Sequence, residues 1–77
     1  MKGLSNISVR EYRMILSKLG LTLVRRKGGH EAWMKQGMTR PVVFQTHIDP
    51  IPEFVVRNNL RNMNISKEMF IALRDAL

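Results

Sequence analysis

The chain has 77 residues, 44% of them hydrophobic and 25% charged, a composition typical of one small globular domain. It contains no cysteine, which excludes disulfides and cysteine-ligated zinc, and no apolar run approaches the roughly 18 residues of a membrane span. Because the first residues are not followed by an apolar block and a cleavage site, we expect a cytoplasmic protein with no membrane partner.

The net charge of +7 is concentrated in the first half of the chain. Residues 1–38 contain eight Lys/Arg and two acidic residues, whereas residues 39–77 contain five Lys/Arg and four acidic residues. A concentrated basic surface attracts polyanions, and nucleic acid is the commonest of them. The alternatives are a charged face that only keeps the protein in solution, or attraction to anionic lipid, which is disfavoured because no strongly amphipathic helix with aromatic anchors accompanies the charge.

The first predicted element is a helix of about three turns. Ser8 and Glu11 form a capping box, in which each side chain accepts a hydrogen bond from the other residue's backbone N–H group. Gly20 is the predicted stop, because glycine commonly follows the last helical residue. The expected buried stripe, at helical spacing, consists of Val9, Tyr12, Ile15, Leu16 and Leu19.

Three antiparallel strands are predicted next. Leu21–Arg25 alternates and is rich in β-branched residues, and the diglycine Gly28–Gly29 indicates a hairpin turn leading into a strand from His30 to Lys35. A second turn around Gln36–Thr39 precedes a third strand, Pro41–Gln45. Alternation along the second strand does not by itself decide which of its two sides faces solvent.

Two helices close the chain after a loop held extended by its prolines. The first is predicted over Glu53–Met63, with Val56, Leu60 and Met63 buried and Asn59 as an awkward polar member of that stripe. Asn64 is the predicted stop, and Ser66 caps a last short helix. The expected buried residues of that helix are Ile65, Met69, Phe70 and Leu73. The pattern predicts one α+β domain over residues 1–77, with the helices on one sheet face and the other face open.

His30 is the residue best suited to acid–base chemistry. It follows three consecutive cations, here called the basic run (Arg25, Arg26 and Lys27), and the diglycine. Nearby cations disfavour a protonated imidazole, so a neutral ring able to accept a proton from an RNA 2′-hydroxyl is expected. Cations at the same spot stabilise charge on phosphoryl oxygens, and glycine N–H groups can line a phosphate. The alternative is a surface histidine after an ordinary hairpin.

His47 is the only other imidazole in the chain. It is either a partner acid, a phosphate ligand or a loop cap. A metal site built from His30, Glu31, His47 and Asp49 lacks the tight ligand spacing that such sites show, so no metal or other cofactor is expected. The candidate residues are His30 for catalysis and Arg25, Arg26, Lys27, Gly28, Gly29 and His47 for RNA or phosphate binding.

The order of elements and three short stretches resemble the HicA family of mRNA interferase toxins. The stretches are Leu23-Val24-Arg25-Arg26-Lys27-Gly28-Gly29-His30, Thr46-His47 and Asn64-Ile65-Ser66, and the resemblance covers nearly the whole chain. It implies a fold like the double-stranded-RNA-binding domain, αβββα plus a short C-terminal helix. It also implies a ribosome-independent endoribonuclease with His30 as the catalytic residue and Gly28 as a structural glycine. The implied partners are mRNA and an acidic HicB antitoxin.

The chain departs from the family pattern at three positions. Gly29 stands where the family usually has serine, Asn59 where it has an aliphatic residue, and Asn64 where it has glycine. These changes affect turns and packing and leave the histidine in place. The leading hypothesis is metal-independent cleavage of single-stranded RNA, with Arg26 and Lys27 stabilising the phosphorane. The alternatives are a non-catalytic RNA-binding module on the same surface, and a helix-turn-helix DNA-binding protein built from residues 53–77.

Overall fold

The computed structural model describes residues 3–77. Residues 1 and 2, the first of those searched for a signal peptide, lie outside the described residues. The protein has an α+β fold with one three-stranded antiparallel sheet, in the order β1-β2-β3, and three helices. The elements are α1 Val9–Lys18, β1 Thr22–Lys27, β2 His30–Met34, β3 Val42–Gln45, α2 Glu53–Met63 and α3 Lys67–Asp75.

α1 begins and packs as the sequence predicts. The Ser8 hydroxyl accepts from the Glu11 backbone N–H, and the Glu11 carboxylate accepts from the Ser8 N–H, both at 3.0 Å. This reciprocal pair satisfies two backbone donors that would otherwise be free at the helix start. The predicted stripe is buried apart from Leu19, which is half-buried.

The strands lie where they were predicted, with one shift that matters for the site. β1 extends to Lys27, two residues further than expected, so the whole basic run belongs to a strand. β2 ends one residue earlier than predicted, at Met34, and β3 begins one residue later, at Val42. Because strand residues alternate between the two faces, the three cations of the basic run cannot all point the same way.

α1 and α2 pack against one face of the sheet. Trp33 on β2 and Val42 and Phe44 on β3 belong to the hydrophobic core, and the Tyr12 ring of α1 meets Phe44 edge-on at a centroid distance of 5.0 Å. The opposite face of β2 carries His30, which is exposed. Within residues 3–77, no helix has both the length and the apolar character needed to cross a membrane.

α2 and α3 have the predicted start, stop and cap. α2 spans Glu53–Met63, Asn64 follows in the left-handed conformation with φ of 56°, and the Ser66 hydroxyl accepts from the Met69 N–H at 3.0 Å. The expectation that Met69 is buried is wrong, because half of its surface is exposed. Phe70 takes the inward position of that turn, and Met69, one residue earlier, is rotated about 100° away from it.

Two buried polar side chains tie the helices to the rest of the chain. Asn59 donates through Nδ2 to the Tyr12 hydroxyl at 3.0 Å and to the Val43 carbonyl at 3.1 Å, so its place in the apolar stripe has a structural reason. Burial raises the pKa of the Tyr12 phenol above its usual value. Arg74 of α3 donates to three carbonyls of the N-terminal loop, those of Gly3, Ser5 and Asn6.

Candidate functional site

The hairpin between β1 and β2 presents His30 at the rim of the open sheet face. Lys27 and His30 are cross-strand partners that flank the two-residue turn. Gly28 takes a φ of +59°, a left-handed conformation that glycine adopts without strain. His30 is exposed and lies on the sheet face opposite the helices, so its imidazole is accessible to a ligand.

The sheet separates the basic run between its two faces. Arg25 pairs with Ala32 and Lys27 with His30, so these two cations share the face of the histidine. Arg26 pairs with Glu31, whose buried carboxylate lies on the helix side. The structure therefore does not bring Arg26 to His30, and Arg25 rather than the predicted Arg26 lies with Lys27 on the face of the histidine.

These residues form a groove of about 480 Å³ on the open face. A volume of that size is within the range of small-ligand sites, roughly 300 to 1,000 Å³. Ala32 is buried beneath the side chains that surround it, and Arg25 and Lys27 form no ion pair with any residue in the range 3–77. The groove is lined by Arg25, Lys27, Gly28, His30, Glu31, Ala32 and Val43.

His47 lies against the hairpin turn and not in the lining of this groove. A Cβ atom added to Gly29 would collide with Nδ1 of the His47 ring and would lie 3.0 Å from its Cε1. The Thr46 N–H and hydroxyl both donate to the Gly29 carbonyl, at 2.7 and 3.2 Å, which fixes the loop after β3 to the turn. Glycine is therefore favoured at the two turn positions for different physical reasons. Gly28 has a positive φ, and an imidazole lies where a side chain of residue 29 would begin.

Glu31 is the charged residue of this region that the sequence argument missed as an organising group. Its side chain is fully buried, and its carboxylate accepts from Arg13, Arg26 and the Trp33 indole. Burial alone would raise the pKa of this carboxyl, but the hydrogen bonds from Arg13 and Trp33 and the charge of Arg13 outweigh it, so the pKa is lowered. The sequence did contain a clue to this role, because Glu31 and Trp33 are two residues apart on one strand and so lie on the same face of the sheet. If Trp33 belongs to the core, Glu31 is buried with it and needs cationic partners.

The remaining candidate residues give no metal-binding cluster. Within residues 3–77, no three His, Cys, Asp or Glu side chains are grouped so that they could hold a metal ion. Asp49 accepts from the Val9 N–H at 3.3 Å and so belongs to the start of α1. The described groups that could act on a ligand in the groove are therefore His30, Arg25 and Lys27, with His47 beside the turn.

Comparison of the chain with protein-family models, with curated proteins and with solved structures gives no significant match. Assignment of an activity therefore depends on the geometry of the groove and on the short sequence stretches described above.

Proposed function

We propose that this chain is an endoribonuclease toxin of the HicA type, belonging to a type II toxin–antitoxin system, with a fold like the double-stranded-RNA-binding domain. Its substrate is mRNA in the cytoplasm. The observation that carries the proposal is the exposed imidazole of His30 at a groove that also holds Arg25 and Lys27. The resemblance to HicA in short sequence stretches and in the order of elements also supports the proposal.

The proposed reaction uses His30 as the proton-transfer group. Its imidazole removes the proton from a ribose 2′-hydroxyl, and the 2′-oxygen attacks the adjacent phosphorus. The bond to the 5′-oxygen breaks, and that oxygen takes up a proton. Arg25 and Lys27 are placed to stabilise the charge that gathers on the phosphoryl oxygens. Gly28 lets the RNA backbone approach the turn closely, because a Cβ there would meet no atom within 4 Å, whereas the ring of His47 lies beside Gly29 and could donate a proton or bind a phosphate.

The proposed protein partner is an acidic antitoxin of the HicB type that covers the groove. The cations that face His30 have no acidic partner of their own among residues 3–77. A partner that supplies carboxylates to Arg25 and Lys27 would neutralise them and block access of RNA in the same step. Co-expression with an acidic HicB-type protein tests this, with a stable complex as the expected result.

The second candidate is a non-catalytic RNA-binding module. Arg25 and Lys27 would bind backbone phosphates whether or not His30 reacts, so the groove supports this function as well. A DNA-binding helix-turn-helix in residues 53–77 is disfavoured, because Arg57 is paired with Glu53 and Arg74 is buried. Few cations of that half are left to contact phosphates.

The decisive experiment is cleavage of single-stranded RNA by purified protein in EDTA. Wild type is expected to cut, and His30→Ala to cut at least about 10²-fold more slowly, the range for loss of a positioned acid or base. Lys18→Gln, an exposed cation on α1 that is remote in sequence from the hairpin, serves as the matched control purified in parallel. Equal cleavage by wild type and His30→Ala refutes the catalytic role. Binding without cleavage by folded wild type selects the second candidate.

A further inference from the structure

A second cluster of cations lies on the helix side of β1, apart from the groove. The fully buried Glu31 carboxylate holds Arg13 of α1, with Nη2 at 2.6 Å and Nε at 3.2 Å. It also holds Arg26 of β1, with Nη2 at 3.1 Å and Nε at 3.2 Å. One carboxylate therefore positions two guanidinium groups that come from different elements.

Each guanidinium uses only one of its edges in this cluster. Arg13 and Arg26 both bind Glu31 through Nε and Nη2, and within residues 3–77 the Nη1 group of each makes no hydrogen bond. The two side chains are 40% and 62% exposed, whereas the Glu31 side chain is 0% exposed. The donors that remain are therefore held in fixed positions on side chains that solvent can reach.

The charge of the cluster favours an anion. The pKa of the Glu31 carboxyl is lowered, so the carboxylate is charged at neutral pH and the cluster carries one net positive charge. Both Nη2 atoms lie within 3.1 Å of the same Oε2 atom, which brings two like charges close together. A phosphate contacting both guanidiniums relieves that repulsion, and planar guanidinium donors match phosphate oxygens well.

We propose that Arg13 and Arg26 form a second phosphate-binding site for the RNA strand, with Glu31 as its positioning residue. This inference rests on the proposed function only in taking RNA as the ligand. β1 is an edge strand, with Arg25 and Lys27 on the groove side and Arg26 on the helix side. A single strand that passes over this edge contacts the groove with one phosphate and the Arg13–Arg26 pair with another.

The test uses single-stranded RNA that carries 2′-O-methyl groups, which binds but cannot be cleaved. Affinities of wild type, Arg26→Gln and the control Arg57→Gln are measured between 50 and 200 mM salt. Arg57 is likewise an exposed arginine paired with a glutamate, but its helix α2 packs against β3, the edge strand opposite β1. Loss of one phosphate contact lowers the salt slope by about 0.7 for single strands, so wild-type affinity should fall about 2.6-fold more than that of Arg26→Gln over this range.

Arg26→Gln is the safer variant because it leaves Glu31 paired with Arg13, and fluorescence of the buried Trp33 verifies its fold. The expected pattern is a reduced salt slope for Arg26→Gln and an unchanged salt slope for Arg57→Gln. In cleavage of ordinary RNA, Arg26→Gln should raise KM and leave kcat unchanged, as for a contact made equally in ground and transition states. If the two variants have equal salt slopes, or if wild type does not bind RNA, the second phosphate-binding site is refuted. If wild type does not cleave RNA but the two salt slopes still differ, only the nuclease proposal is refuted.

Discussion

The contact between Gly29 and His47 allows a sharp test of the hairpin geometry. Gly29 lies outside the left-handed region, so alanine is compatible with its backbone, and the three atoms nearest to an added Cβ all belong to the imidazole of His47. Gly29→Ala should therefore behave differently depending on whether that ring is present. The double-mutant cycle compares Gly29→Ala in wild type with Gly29→Ala in His47→Ala.

Two opposing contributions set the magnitude. Replacing glycine by alanine at a compatible backbone position stabilises a protein by about 0.4–1 kcal/mol, because the unfolded chain loses conformational freedom. Pushing the His47 ring out of its rotamer costs about 0.5–1.5 kcal/mol. In wild type these nearly cancel, whereas in His47→Ala the stabilisation is seen in full. The expected coupling free energy between the two positions is therefore about 0.5–1.5 kcal/mol.

Urea unfolding followed by Trp33 fluorescence measures this coupling, because the only tryptophan of the chain is buried. With a slope of about 1 kcal/mol per molar urea, the effect of Gly29→Ala on the midpoint should differ by roughly 0.5–1.5 M between the two backgrounds. If Gly29→Ala shifts the midpoint equally in both, the ring does not occupy the space beside Gly29. That result would also remove the physical reason given for glycine at position 29.

Three further predictions concern the buried polar groups. The lowered pKa of the Glu31 carboxyl means that its ionisation stabilises the fold above the ordinary value of 4.5 and that this stabilisation is lost as pH falls below it. Glu31→Gln should have a lower free energy of unfolding at pH 7, and that free energy, measured by urea unfolding, should fall less steeply than that of wild type as the pH is lowered. An unchanged dependence on acid pH contradicts the lowered pKa of Glu31. Asn59→Leu should lower the free energy of unfolding by about 1–3 kcal/mol for each partner left without a hydrogen bond, the Tyr12 hydroxyl and the Val43 carbonyl. The loss should be smaller in a Tyr12→Phe background, and an equal loss in both backgrounds contradicts the hydrogen bond to Tyr12. Arg74→Leu should lower the thermal midpoint and speed proteolysis at the N-terminal loop, whereas Lys67→Leu on the same helix should do neither.

The fold was predictable because its local signals agree with its packing. The capping box of Ser8 and Glu11 gives the start of α1, glycine or asparagine follows two of the helices, and period-two alternation gives the strands. Local and tertiary preferences point the same way in these segments, which is where sequence reasoning works best. The prediction that Met69 is buried failed because the local pattern of α3 does not by itself select one inward position. Several apolar residues of α3 compete for the inward positions, and only the packing of Phe70 decides among them.

The site was predictable in part. His30 is accessible under either strand parity, because it begins β2 beside the turn, so its exposure did not depend on knowing the register. The orientation of the basic run did depend on the register, and the sequence alone left that parity open. Glu31 could be recognised as a buried anion only after Trp33 was known to be core. The contact between His47 and Gly29 joins two loops and has no signature in sequence spacing.

The charges show why net charge alone could not locate the site. Part of the +7 excess holds the fold together, since Arg74 bonds three loop carbonyls and Lys35 donates to the Leu19 carbonyl at 3.2 Å. Arg25 and Lys27 have no such structural partner among residues 3–77, and both face His30. An unpaired surface cation costs the fold little and is free to bind a ligand, whereas a cation already bonded to the protein must give up that bond first. The groove is therefore a better candidate for the proposed RNA contact than the total charge indicates, because its two unpaired cations lie on the same sheet face as the exposed His30.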